Sequence, residues 1–157
     1  MTDTFYTDKP ALGNTIGIDI PAIEQSLGFL NTARGYRAGG LIEKNVPTAG
    51  ADAAVILPFT PTFMTFDWFY NGALRTYSCK GRGYHDGTDN KCAGVYTETS
   101  LKELVLYSPT ACIYLIDNAA AVFNAATCAF RVNQFTLTWG KFGLPLGTAY
   151  IIYTAFG

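Results

Sequence analysis

The sequence predicts an all-β protein, an antiparallel jelly-roll-like β-sandwich with an extended N-terminal arm. Three observations lead there. Segments dense in β-branched and aromatic residues recur from residue 51 onward, with turn residues between them every ~8–12 positions. No segment keeps a 3.6-residue apolar period long enough for a stable helix. Aromatic residues reach 15% of the 157-residue chain, and charged residues are held to 15%, where about 25% is usual. A chain of this length buries roughly 70% of its unfolded surface, so a core can form without metal or disulfide staples.

Residues 1–50 read as the arm. They are rich in glycine (Gly13, Gly17, Gly28, Gly35, Gly39, Gly40 and Gly50) and poor in strand alternation. One short helix is expected, because Pro21 suits a first helical position, Ile23 and Leu27 share a face, and Gly28 suits the end. Two turns are not stable alone, so this helix must pack on something. Residues 51–157 read as the sandwich.

Its first strand is the short apolar run Ala53 to Leu57, closed by Pro58. Thr62 to Tyr70 follows, carrying Phe63, Met64, Phe66, Trp68, Phe69 and Tyr70. Both faces of that strand are apolar, so one should meet a second sheet and the other a neighbouring segment or subunit. Asn71-Gly72 marks a hairpin, with a return strand from Leu74 to about Lys80. Gly81 to Asn90 reads as a loop, followed by strands at Cys92 to Thr97 and Glu103 to Tyr107. Cys112 to Asp117 is apolar on both faces, and Asp117-Asn118 turns the chain. Val122 to Val132 makes one long strand or two. Gln134 to Trp139 alternates, with Phe135, Leu137 and Trp139 on one face. Gly140 to Gly147 is a Gly/Pro loop, and Thr148 to Phe156 closes the fold.

The residues that could carry chemistry are few. Asp86, Thr88 and Asn90 place oxygens at alternate positions, as a calcium loop does. No Glu stands at the position of the twelfth ligand, and Asp-Gly-Thr-Asp is equally a tight turn, which is the preferred reading. Ser78, Ser100 and Ser108 lie outside any GxSxG motif, and His85 is the one histidine. Glu98 and Glu103 are two acids that nothing holds opposed. Gly81-Arg82-Gly83 precedes no helix, so it is no nucleotide fingerprint. The four cysteines, Cys79, Cys92, Cys112 and Cys128, form no CxxC pair and read as small buried hydrophobes. A Cys79–Cys92 disulfide stays open as the alternative. The expectation is a protein that is not an enzyme, with no catalytic, cofactor-binding or metal-binding residues.

A net charge of −1 argues against nucleic acid as a partner. The apolar runs fall far short of the ~20 residues that a membrane helix needs. Met1-Thr2-Asp3-Thr4-Phe5 lacks a basic n-region, so no secretory signal is expected and assembly in a cytosol is. Ten tyrosines, eleven phenylalanines and two tryptophans exceed what one small sandwich hides. The surplus points to subunit contacts, hence a homo-oligomer. Surface aromatics that hold a sugar are the rival use.

Pro58-Phe59-Thr60-Pro61-Thr62-Phe63 resembles the entry strand of virion structural proteins of tailed bacteriophages. Gly83-Tyr84-His85-Asp86-Gly87-Thr88-Asp89-Asn90-Lys91-Cys92 is similar to that family's G-[FY]-x-DGT-x-x-x-C hairpin. Ala111-Cys112 with the strand ending in Asp117-Asn118, Phe135 to Trp139, and Tyr150 to Gly157 are similar to its later strands. The resemblance covers about a hundred residues, Pro58 to Gly157; the first fifty match no part of it. It implies a homotrimeric surface component of the virion, such as a head-decoration, head-fibre or tail-associated protein, assembled in the host cytoplasm. Its partners would be phage capsid or tail proteins, with the arm at residues 1–50 serving oligomerisation or attachment. The alternative is a lectin-like receptor-binding module of a tail fibre that binds host surface glycan.

Overall fold

The computed structural model describes residues 36–71, 78–97, 103–118 and 122–157. Among them run eleven strands: β1 (Arg37–Asn45), β2 (Gly50–Ala51), β3 (Val55–Ile56), β4 (Phe63–Asn71), β5 (Ser78–His85), β6 (Asn90–Thr97), β7 (Glu103–Ser108), β8 (Ile113–Asn118), β9 (Val122–Arg131), β10 (Gln134–Phe142) and β11 (Thr148–Phe156). They form two antiparallel sheets packed as a sandwich. One has the order β1-β11-β4-β5-β6-β7; the other has the order β2-β10-β9-β8, with β3 also on β10. The winding is two meanders, β4 to β7 and β8 to β10. β11 then returns to the first sheet and slots between β1 and β4, a detail that the jelly-roll expectation did not contain.

Period-two alternation builds the core. Met64, Phe66, Trp68 and Tyr70 of β4 point inward with Ala149, Ile151, Tyr153 and Ala155 of β11, and all are buried. Phe135, Leu137 and Trp139 of β10 meet them from the other sheet. The Phe135 ring lies edge-on to Phe66 at 6.1 Å and to Tyr153 at 5.1 Å. Each of the large apolar side chains among them contributes about 1.5–3 kcal/mol by burial, and each edge-to-face pair about 0.5–1.5 kcal/mol more.

The strand Thr148–Phe156 and the inward set of β10 lie where the sequence places them. Other boundaries move. The sandwich begins at residue 37 rather than 51, because Arg37 to Asn45 pairs along the whole of β11. Gly39 and Gly40 disguise that strand. A Cβ on Gly40 would stand 2.8 Å from the Tyr153 ring, so glycine there makes room for an aromatic of the core. The expected helix at 21–27 lies outside the described residues. So do Gly72 of the predicted hairpin and the stretch 72–77, although Asn71 and Ser78 pair across it.

Gly81 to Asn90 is not a loop. β5 runs on to His85, β6 starts at Asn90, and only Asp86 to Asp89 turn. The glycines belong to the strand's inward face, where a Cβ on Gly81 would strike the Trp68 indole and one on Gly83 the Cys112 carbonyl. Glycine lets the crossover into β8 lie directly on β5. At the other end of β10, the Gly/Pro loop shrinks to 143–147, since pairing with β9 continues through Phe142.

Candidate functional site

The polar hairpin tip is built as a turn. Asp86 Oδ1 accepts the amides of Thr88 (3.0 Å) and Asp89 (2.7 Å), and Gly87 supplies a φ of +90°. These two amides hold the Asp86 carboxyl below the usual carboxylate range. Two of the three oxygens of the calcium reading are committed elsewhere, that of Asp86 to the turn and that of Asn90 to the opposite sheet. Asn90 turns inward and staples the sheets, its Oδ1 accepting Cys128 N at 2.8 Å and its Nδ2 donating to Cys128 O at 3.4 Å. His85 is buried, with Nδ1 2.9 Å from Asp89 O and its ring 4.4 Å from that of Phe130. The sequence placed it in a loop; the longer β5 puts it on the inward face instead.

The remaining candidates scatter. Ser108 is buried, and its Oγ accepts the amide of Ala111 at 3.1 Å, capping the crossover into β8. Ser78 sits at the start of β5, and Glu103 is exposed on β7; Ser100 and Glu98 lie outside the described residues. Among the described residues, no group of three His, Cys, Asp or Glu side chains could hold a metal.

All four cysteines are free thiols and buried. Cys79 is opposite Tyr96 and Cys92 opposite Gly83. Four residues of strand, roughly 13 Å, separate the two positions, too far for a bond between them. Burial pushes the Cys92 and Cys128 thiols up to about 12, and raises those of Cys79 and Cys112. Thiolate is the reactive form. The native chain at neutral pH should therefore give no fast reaction with a thiol reagent, and the denatured chain four equivalents. One rapidly labelled native thiol would contradict this burial.

A polar cluster that sequence reasoning missed joins the two sheets near β2. Lys44 Nζ, on the inward face of β1, pairs with Asp52 Oδ1 at 2.7 Å and lies 4.7 Å from the centre of the Trp139 ring. Trp139 Nε1 donates to Asp52 Oδ2 at 2.6 Å. Close by in the fold, the buried Asn124 donates to Val46 O at 2.7 Å and Thr48 O at 2.8 Å. Every charge here has a partner within the chain, so the cluster reads as a clasp. The available signal was a lysine breaking the alternation Ala38, Gly40, Ile42, Lys44, with an aspartate eight residues on.

The surface available for binding is the outer face of the six-stranded sheet. Leu41 pairs with Ile152, and Tyr150 with Phe69, so four large apolar side chains adjoin across β1, β11 and β4. They are 48–63% exposed. Phe63 and Phe156 continue the surface, with Arg37 5.8 Å above the Phe156 ring. The far sheet carries a smaller ladder, Tyr114, Phe123 and Phe142, stacked at 4.8 and 5.8 Å. Comparison with protein-family models, curated proteins and solved structures gives no match, so the function is read from these surfaces.

Proposed function

We propose that the chain is a non-enzymatic structural protein of a bacteriophage particle, a homo-oligomeric component of the virion surface such as a head-decoration or head-fibre protein. The observation that carries the oligomeric part is the patch of Leu41, Phe69, Tyr150 and Ile152. The outer face of β4 mixes Phe63 and Phe69 with Thr65 and Asp67, and it is Phe69 that joins Leu41, Tyr150 and Ile152 in a patch with no cover among the described residues. A contiguous patch of large apolar side chains is a surface suited to being enclosed. Glu43 and Lys80 flank the Tyr150–Phe69 pair in the same row, giving an apolar centre between charges of opposite sign, as in subunit interfaces. The virion setting and threefold symmetry rest on the resemblance of the Pro58 to Gly157 motifs, and the attachment role falls to residues 1–36.

The patch is tested by Ile152→Asp and Tyr150→Asp. Both side chains point out of the sheet, so the fold should hold and its melting remain cooperative. The solution mass should drop from the assembly to a single chain of 17.0 kDa. An unchanged mass in both variants would remove the patch from the interface. Attachment is tested by a cut at residue 36, which keeps the sandwich whole; a cut at 50 would remove β1 and its pairing with β11.

A further inference from the structure

The Asp67–Arg82 ion pair, with Nε 2.6 Å and Nη2 3.1 Å from the two carboxylate oxygens, divides the outer face of the six-stranded sheet. On the β1 side lies the apolar patch. On the β7 side a groove of about 650 Å³ opens, lined by Phe63, Thr65, Arg82, Tyr84, Lys91 and Tyr107. Strand register makes it. Arg82, Ala93 and Tyr107 stand in one row, so a methyl group floors the space between a guanidinium and a phenol. Thr65, Tyr84 and Lys91 stand in the next, with Phe63 stacked on Tyr84 at 5.9 Å.

We infer that this groove is a binding site for a neutral oligosaccharide. The charge balance selects the class. Arg82 is spent on Asp67, and Lys91 pairs with Asp89 at 2.6 Å, so the walls carry cations with no net attraction for an anion. What remains is amphipathic. Tyr84, Tyr107 and Phe63 offer ring surface to the C–H face of a pyranose. Arg82 keeps three unspent N–H donors after its two bonds to Asp67, which itself keeps free lone pairs. The Thr65 hydroxyl adds a donor and acceptor, and sugar hydroxyls need both. The volume lies within the usual range for ligand sites and suits on the order of two or three pyranose rings. Asp86, at the tip of the adjoining hairpin, commits its Oδ1 to its own turn; the site lies beside that turn. The inference uses none of the four side chains of the assembly patch, although Phe63 and the Asp67–Arg82 pair border both.

The test is an array of neutral and acidic oligosaccharides of roughly two to four sugars, probed with the full chain and with Tyr107→Ala and Arg82→Ala. Tyr107 is exposed on the edge strand and Arg82 lies outside the core, so both variants should melt and sediment as the parent does. Binding to neutral glycans, weakened about tenfold or more in both variants, is the expected result. No binding on the array, binding to acidic glycans alone, or binding indifferent to both substitutions would overturn the inference. A fall in solution mass in Tyr107→Ala would overturn it too, by assigning the groove to a second copy of the chain.

Discussion

Asp52→Ala is expected to lower the melting temperature by about 10 °C. Lys44 is 4% exposed, and its charge is balanced by Asp52. Removing the carboxylate strands a buried ammonium and orphans the Trp139 indole N–H together. Breaking a buried pair from one side costs about 3–5 kcal/mol. Asp52 is itself 33% exposed, so water reaches the gap and about 3 kcal/mol is the fitting figure. For a domain of this size that is roughly 10 °C. The cause can be isolated. Lys44→Met with Asp52→Ala removes the stranded charge as well, so the double variant should be more stable than Asp52→Ala alone. A double variant no better than the single one would mean that the buried charge is not what costs.

The largest effect expected of any single methyl group is at Gly83. An alanine Cβ there overlaps the backbone carbonyl of Cys112 and stands 2.8 Å from Cys92 Cβ. Neither neighbour can swing aside. Cys92 is on the adjacent strand, and Cys112 is fixed by its amide to Ala126 O at 2.8 Å. The sheets must part, so Gly83→Ala should lose more than about 4 kcal/mol, a large share of a domain's stability. Gly140→Ala is the control: it also sits in a strand, but a Cβ there meets nothing within 4 Å. It should be neutral or stabilise by up to about 1 kcal/mol. Equal melting of the two variants in a thermal scan would contradict the close approach at Gly83.

These two sites also explain what the sequence could and could not show. The inward face of β10 was legible because apolar and polar residues alternate from Gln134 to Trp139, and β11 because it is an unbroken run of strand formers that follows a Gly/Pro loop. β5 was half hidden, since Gly81 and Gly83 look like turn residues although their purpose is to keep Cβ atoms out of the core. β1 was hidden for a related reason. Gly40 yields space to Tyr153, and Lys44 is an inward charge whose partner lies eight residues on, just past β2. Glycine marks a turn and a tight contact alike, and only pairing distinguishes them.

The outer face was illegible in a different sense. Phe66 and Tyr70 are buried while Phe69 and Tyr150 are half exposed, yet the side-chain types are the same. Composition reveals a surplus of aromatics and cannot say which face receives it. The groove needed more still. Thr65, Tyr84, Lys91 and Tyr107 come from four strands, and it is register that puts them side by side.

The central claim is that the exposed apolar face is covered by further copies of the chain. Its most direct test is the solution mass of the intact protein, by light scattering behind a sizing column. The account predicts about three times the 17.0 kDa of one chain. A stable species of 17.0 kDa at the same concentration, with Leu41, Phe69, Tyr150 and Ile152 left open to water, would contradict it.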